Sequence, residues 1–186
     1  MSENLRNFTS ALHGFDAVVQ RMPADAWDKP SGCEGWTGRD VLQHQCAVVN
    51  GVEAVARTGA MAAPSAPDDV SDPVATWTAC RQQVSATLDQ AGVLNQAGPF
   101  WFDAPDVDAL IGFVQWDLLG HTWDLAQAGG LDAPLDEAAA SSALAQVLDR
   151  QEMLIESGRI GQPVDVPADA PVGDRYLGAI GRNPNG

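Results

Sequence analysis

The sequence predicts an all-α protein, and three observations lead to this prediction. Apolar residues recur three and four positions apart over long segments, which is the spacing of one face of a helix. Residue types that cap helix N-termini precede most of these segments, and turn-forming residues separate them. The sequence contains no internal repeat and no convincing series of strands. We therefore predict a four-helix bundle with an additional C-terminal helix and an irregular tail.

The first helix is predicted over about residues 3–21. Its apolar residues share one helical face, and they begin with Leu5, Phe8, Leu12 and Phe15. Residues 22–36 are rich in turn formers and contain Trp27 and Trp36, two large side chains that can pin this segment to the bundle.

The second helix is predicted from Thr37 to about Thr58. Thr37 is a suitable N-cap, and Asp40 stands three positions later as its partner in a capping box. A loop rich in Pro, Ala and Asp follows over residues 59–71.

The third helix begins after Asp72, a capping residue, with Pro73 at the first helical position that proline prefers. It is predicted to end near residues 90–92. Residues 93–105, which include three adjacent aromatic residues, are predicted to form a packed loop or a short extended segment.

The fourth helix is predicted to begin after Asp106 and to end at the glycine pair Gly129–Gly130. Asp136 caps a fifth helix that runs to about residue 158. The remaining tail, residues 159–186, is rich in Pro and Gly and is expected to wrap the surface of the bundle.

Length, charge and composition limit the classes of protein to which this chain can belong. A length of 186 residues predicts one domain, 1–186, with the bundle over about 3–158. The formal net charge of −15 argues against nucleic-acid and anionic membrane partners, although it also serves solubility. The sequence lacks a long apolar span and a signal peptide, so we expect a cytoplasmic protein. Lys29 is the single lysine beside nine arginines, which suggests a GC-rich, actinobacterial genome.

The three cysteines do not predict a disulfide framework or a cysteine-based zinc site. Cys33, Cys46 and Cys80 lie far apart and form no Cys-x-x-Cys pair. Cys46 and Cys80 are expected to be small core residues.

The fourth helix carries an unusual set of ionisable residues. Asp117, His121 and Asp124 fall within roughly 60° of one another around a helix. The same face carries apolar residues, namely Leu110, Val114 and Ala128. Ionisable groups are costly to bury unless they are paired or bound to a metal. Divalent metal binding is therefore the leading hypothesis for this face.

The second helix supplies a matching residue, His44. It shares a stripe with Val41, Val48, Gly51 and Val55, so its imidazole is predicted to face the bundle interior. Bundles build metal sites from side chains on facing helices, which gives a predicted ligand set of His44, Asp117 and His121. Such a set suits zinc, and also nickel or iron, and leaves a coordination position open for water or substrate.

Other interpretations of these residues stay open. An inward histidine is often a hydrogen-bonded core residue, so a polar cluster without metal is an alternative. Asp124 suits a role as acceptor of a hydrogen bond from a ligand imidazole, but it can equally pair with an arginine such as Arg39. His13 is expected at the surface or the bundle rim.

Two arginines are candidate substrate-binding residues, and two tryptophans lie beside the candidate ligands in sequence. Arg39 and Arg81 are possible binding groups for an acidic substrate, with a solvated or ion-paired role as the alternative. Trp116 and Trp123 flank the candidate ligands in sequence but are predicted to point to other faces and to serve packing.

Two sequence motifs and the tail resemble a known family. Residues 30–44, Pro-Ser-Gly-Cys-Glu-Gly-Trp-Thr-Gly-Arg-Asp-Val-Leu-Gln-His, resemble a signature of the mycothiol-dependent maleylpyruvate isomerase N-terminal domain, in the DinB-like superfamily. Asp117 followed by the run His-Thr-Trp-Asp-Leu-Ala, residues 121–126, resembles the second signature. Residues 164–184 resemble the ending of short, single-domain members.

The resemblance implies a DinB-like four-helix bundle that binds one divalent metal, typically zinc, through His44, Asp117 and His121. It also implies mycothiol, a low-molecular-weight thiol, as a possible cofactor or co-substrate. Two departures limit the transfer. Asp117 stands where the isomerase has Glu, and the chain is expected to be too short for the isomerase's additional C-terminal domain. The isomerase substrate is therefore not implied.

The predicted function is a metal-dependent, thiol-using S-transferase or isomerase-like enzyme acting on a small electrophile. The catalytic group would be a metal-bound thiol or water rather than a side chain that the sequence identifies. The alternative is a non-catalytic metal or small-ligand binding protein on the same bundle. The protein is expected to be a monomer or a homodimer.

Overall fold

The computed structural model describes residues 1–184, and it is helical apart from turns and two isolated β-bridges within these residues. The six helices are α1 (Glu3–Val19), α2 (Gly38–Thr58), α3 (Pro73–Leu88), α4 (Val107–Gly129), α5 (Glu137–Glu156) and α6 (Val172–Ala179). Two short 3-10 turns, Val93–Asn95 and Trp101–Asp103, lie between α3 and α4. The predicted all-α class is confirmed. The single domain over 1–186 stays a prediction, and its last two residues, Asn185 and Gly186, lie outside the described range.

The first four helices close into a bundle. Helix α4 packs against α1 and α2, and α3 also packs against α1 and α2. Helix α5 lies on α4 and α1, and α6 packs on α5. Because α4 is covered on several sides, most of its residues are buried, including ones that a surface helix would expose. This burial is what brings polar groups of α4 into the interior.

Local capping interactions define where the helices begin. Thr37 accepts a hydrogen bond from the Asp40 backbone, and the Asp40 side chain accepts one from the Thr37 backbone, so the predicted capping box is confirmed. Asp72, Asp106 and Asp136 cap α3, α4 and α5 as predicted. Each such cap typically stabilises a helix by about 1 kcal/mol.

The prediction of an irregular tail is confirmed for residues 159–171 but was wrong for residues 172–179, which form helix α6. From this helix Tyr176 and Leu177 insert into the core, followed by buried Ile180. The Tyr176 hydroxyl donates a hydrogen bond to the backbone carbonyl of Trp116 on α4. The tail is therefore part of the packed structure, and it contacts the same helix that carries Asp117 and His121.

Candidate metal centre

Helices α2 and α4 bring the three predicted ligands together. The Nε2 atom of His44 lies 3.1 Å from Oδ2 of Asp117, and Nε2 of His121 lies 3.6 Å from Oδ1 of the same carboxylate. One donor atom from each of the three residues falls within 4.8 Å of the other two. Tetrahedral zinc with bonds near 2.05 Å needs donor atoms about 3.3 Å apart, so these side chains fit such an ion with small adjustments.

Asp117 is held ionised by its surroundings. Burial acts to raise its pKa, but the charge of His121 and the hydrogen bond and charge of His44 outweigh burial and hold the pKa well below its usual range. Gln45 donates a further hydrogen bond from Nε2 to Oδ2 at 2.8 Å. An ionised, oriented carboxylate is the form that binds a cation.

The Asp117 carboxylate raises the pKa of His44. Burial lowers the pKa of its imidazole, but the hydrogen bond and charge of Asp117 prevail and raise that pKa above its usual value. A metal ligand must be the neutral imidazole, so a proton competes with a metal ion for Nε2 of His44.

Asp124 lies behind His121, on the side away from Asp117. Its Oδ2 atom is 2.9 Å from Nδ1 of His121, which is within ion-pair distance. Arg182 holds the same carboxylate at both oxygens, at 3.1 and 2.7 Å. Asp124 is fully buried, and its partners His121 and Arg182 hold its pKa low against the opposing effect of burial.

Cys33 forms a second possible donor set with His121 and Asp124, since one donor atom of each lies within 4.8 Å of the others. Burial raises the pKa of the Cys33 thiol, as does the charge of Asp124, while Arg182 acts in the opposite direction. A protonated thiol is a poor metal ligand, and the Arg182 cation already occupies both oxygens of Asp124. The set of His44, Asp117 and His121 therefore fits a divalent ion better.

Two cavities meet at the candidate ligands. A mainly apolar cavity of about 370 Å³ and a more polar one of about 550 Å³ share His44, Asp117, Trp116 and Arg159 in their walls. These volumes are in the range of small-molecule sites. The donor atoms of His44 and Asp117 are thus accessible to a small ligand from two directions.

The two motifs that supply His44, Asp117 and His121 lie inside a region that matches a family model. Residues 8–126 match the model of the mycothiol maleylpyruvate isomerase N-terminal domain. The chain belongs to this family. The predicted membership is confirmed, and the matched region contains α2 and nearly all of α4.

Two curated relatives of this chain are uncharacterized proteins of Mycobacterium tuberculosis, from strains CDC 1551 / Oshkosh and ATCC 25618 / H37Rv. Each is 30% identical over 137 residues, which cover 73% of this chain and 72% of the relative. No solved structure matches the chain. Within the described residues, no helix has the length and apolar character needed to cross a membrane.

The two candidate substrate-binding arginines, Arg39 and Arg81, lie outside both cavities. Arg39 pairs with Asp28, at 2.9 Å, and Arg81 pairs with Asp16, at 3.3 Å. Both form the ion pairs of the alternative interpretation, and substrate binding by them stays a prediction. Asp124 pairs with an arginine, but that arginine is Arg182 and not Arg39.

Sequence reasoning missed several groups around the candidate ligands. Trp36 stacks on the His121 ring at 5.6 Å between centroids and meets the His44 ring edge-on at 5.1 Å. Trp116, predicted only to pack, lines both cavities. Arg159 and Arg182, both in the segment predicted to be an irregular tail, line the polar cavity. Trp36 was detectable, because it stands inside the motif that resembles the family signature.

The positions of His13, Cys46 and Cys80 agree with the sequence predictions. His13 is exposed on α1. Cys46 and Cys80 are buried as free thiols, while the free Cys33 is half-buried at the polar cavity. Trp123 is half-buried and packs closely against Gly32.

Proposed function

We propose that this protein is a cytoplasmic, metal-dependent enzyme that uses a small thiol, mycothiol, in an S-transfer or isomerase-like reaction of a small electrophile. One observation carries the proposal: donor atoms of His44, Asp117 and His121 lie within 4.8 Å of one another beside two cavities. Membership in a mycothiol-related family supports the choice of thiol.

His44, Asp117 and His121 would hold one divalent ion, and two imidazoles with one carboxylate suit zinc, with nickel or iron as alternatives. When bound, such an ion supplies Lewis acidity that favours the thiolate form of a thiol at neutral pH. A three-residue donor set leaves room for that thiol, as open catalytic sites require.

The surrounding side chains prepare the donors. Gln45 fixes the orientation of the Asp117 carboxylate through its amide N–H. Asp124 favours the tautomer of His121 that carries its proton on Nδ1, which leaves the lone pair of Nε2 directed toward the Asp117 side. Arg182 keeps Asp124 ionised and in place. Trp36 covers one face of the His121 ring and excludes water there.

The polar cavity suits the body of the thiol. It is lined by Cys33, Glu34, Arg159 and Arg182 together with glycine backbone, so it offers charged groups and main-chain polar atoms for a hydrophilic molecule. Its wall includes Asp117 and His121, which would set the thiol sulfur next to the metal ligands.

Elemental analysis of protein purified without added metal tests the metal part of the proposal. We expect close to one equivalent of a divalent transition ion in the wild type and less than about 0.1 equivalent in His121→Ala. His13→Ala, an exposed histidine on α1, is the matched control and should keep the metal. Equal metal content in wild type and His121→Ala would refute the proposed ligand set.

A thiol-transfer assay tests the enzyme part. Mycothiol and chlorodinitrobenzene are mixed with and without protein, before and after removal of metal by a chelator. We expect a metal-dependent increase in the rate of S-conjugation. Bound metal without any rate gain over a panel of electrophiles would favour the non-catalytic binding protein. Protein without metal would favour a polar cluster, in which His44, Gln45 and Asp117 satisfy one another by hydrogen bonds.

A further inference from the structure

The apolar cavity beside the candidate metal centre is built mainly from non-polar and aromatic side chains. Its volume is about 370 Å³, which suits one small molecule. His44 and Asp117 form one part of its wall, and Arg159 supplies a cation at another. The apolar part of the wall consists of Val48, Pro64, Trp101, Phe102, Val114 and Trp116.

Trp101 packs against helix α2 at Gly51, which has no side chain, and its indole donates one hydrogen bond. Gly51 lies two helical turns after His44, on the same face of α2. A Cβ atom on Gly51 would lie 2.4 Å from Cη2 of Trp101, so only glycine admits the indole here. The Trp101 Nε1–H donates to the carbonyl of Ala62 at 2.8 Å. These two contacts fix the ring at the cavity.

Phe102 occupies a backbone conformation that L-residues rarely adopt. Its φ is 59° and that of Asp103 is 58°, which places two consecutive non-glycine residues in the left-handed region. Such positions cost about 1 kcal/mol or more each, and they cluster at ligand sites. The Phe102 ring stacks on Phe113 with centroids 4.4 Å apart. This packing holds Phe102 in the cavity wall.

Arg159 is a cation without a carboxylate partner within the described part of the chain. Its guanidinium lies over the Phe102 ring, 4.9 Å from the centroid, and the side chain lines both cavities. The chain has 25 acidic residues and a net charge of −15, and other arginines such as Arg57 and Arg182 are ion-paired. The stacked guanidinium keeps its edge N–H groups free to bind an anion in two-point geometry.

We propose that this cavity binds a small aromatic carboxylic acid. Its planar part lies against Trp101 and the edge of the Phe102 ring, and its carboxylate binds Arg159. An aromatic wall favours a planar π-system over a saturated ring of similar size. The cavity adjoins the proposed metal centre through His44 and Asp117, but binding of the acid does not require a metal.

Isothermal titration of 2-naphthoate tests the inference in metal-free and zinc-loaded protein. We expect saturable binding at one site in both forms. The neutral analogue 2-naphthalenemethanol and the saturated decahydro-2-naphthoate should each bind at least about tenfold more weakly. Naphthoate binding in a protein that fails to retain zinc would refute the proposed function while leaving this inference intact.

Three variants identify the binding groups. Arg159→Met should weaken naphthoate about tenfold and leave 2-naphthalenemethanol unchanged, whereas Arg175→Met, an exposed arginine on α6 outside both cavities, should change neither. Gly51→Val should weaken both ligands, because it displaces the Trp101 ring. Arg159 is exposed, so we expect Arg159→Met to fold normally, and any change in binding then reflects the lost guanidinium. Absence of binding, equal binding of acid and alcohol, or no effect of Arg159→Met would overturn the inference.

Discussion

Arg182 binds Asp124 at two points, from Nε to Oδ1 at 3.1 Å and from Nη2 to Oδ2 at 2.7 Å. The arginine stands after α6 and the carboxylate stands on α4, 58 positions earlier in the chain. Asp124 in turn lies next to the imidazole of His121. The end of the described chain is therefore connected to a candidate metal ligand through one buried carboxylate.

Replacing Arg182 with methionine should destabilise the protein. The substitution leaves the fully buried Asp124 without its guanidinium, and breaking a buried ion pair from one side typically costs about 3 kcal/mol or more. Urea unfolding at neutral pH measures this effect. Arg175→Met removes an exposed arginine from the same segment and should change the free energy of unfolding by less than about 0.5 kcal/mol. Equal midpoints for the two variants would show that the pair contributes little.

Gly32 leaves no space for a side chain beside the centre. A Cβ atom there would lie 2.5 Å from Cζ3 of Trp123 and 2.8 Å from Oδ1 of Asp124. We expect Gly32→Ala to push Asp124 away from His121 and to weaken metal binding at least about tenfold, as changes behind a ligand histidine do. Competition with a chromophoric zinc chelator measures the affinity.

Gly14→Ala is the matched control for that substitution. Gly14 lies within helix α1, and nothing lies within 4 Å of the Cβ position. This variant should keep its metal affinity and gain up to about 1 kcal/mol of stability, since alanine favours the helix over glycine. A Gly32→Ala protein that binds zinc as tightly as Gly14→Ala would contradict the role given to the close packing at Gly32.

Features set by short-range interactions were predictable from the sequence. Thr37 and Asp40 form a capping box because each reaches the backbone of the other across three residues. The approach of His44 to Asp117 was also predicted, since each shares a helical stripe with apolar residues that must face the core. In both cases the spacing of residues within one helix carries the information.

Features set by long-range packing were not predictable in this way. The spacing of residues around Arg182 gives no indication that it meets Asp124, and the Pro- and Gly-rich composition of the tail hides the burial of Tyr176. The sequence leaves open whether Arg39 binds a substrate or forms an ion pair, because its partner Asp28 lies in a turn whose path depends on tertiary contacts. Interactions between distant segments require the assembled bundle.

The ion pair of Asp124 predicts a specific dependence of stability on pH. Burial acts to raise the Asp124 pKa, but His121 and Arg182 lower it overall. A carboxyl group whose folded pKa is below the unfolded value of about 3.9 stabilises the protein above that value. This contribution is lost as the pH falls through the folded pKa. The free energy of unfolding of metal-free protein should therefore fall below about pH 5.

The contribution of Asp124 is isolated by comparison with Asp124→Asn. The difference in unfolding free energy between wild type and this variant should be largest at neutral pH and shrink steadily in acid. Asp165→Asn removes an exposed carboxylate of the tail and should follow the wild-type curve. A difference between wild type and Asp124→Asn that is constant from neutral to acidic pH would exclude titration of Asp124 as its source.

Gln45 should tune the metal affinity without being a ligand. Its amide is fully buried, and Nε2 donates to the Asp117 oxygen that also faces His44, while its Oε1 finds no hydrogen-bond partner in the described structure. Gln45→Leu removes the donor and permits the carboxylate to rotate, so zinc should bind about 10- to 100-fold more weakly yet still in one equivalent.

The size of that loss distinguishes an orienting group from a ligand. Asp117→Asn removes the anionic donor itself and should reduce the retained metal to the level of His121→Ala. Gln45→Glu places a second carboxyl group against Asp117, where like charges repel in the folded protein unless a cation lies between them. The melting temperature of Gln45→Glu should therefore rise more on zinc addition than that of the wild type. If zinc raises the melting temperature of Gln45→Glu less than that of the wild type, the ion does not bind beside Asp117.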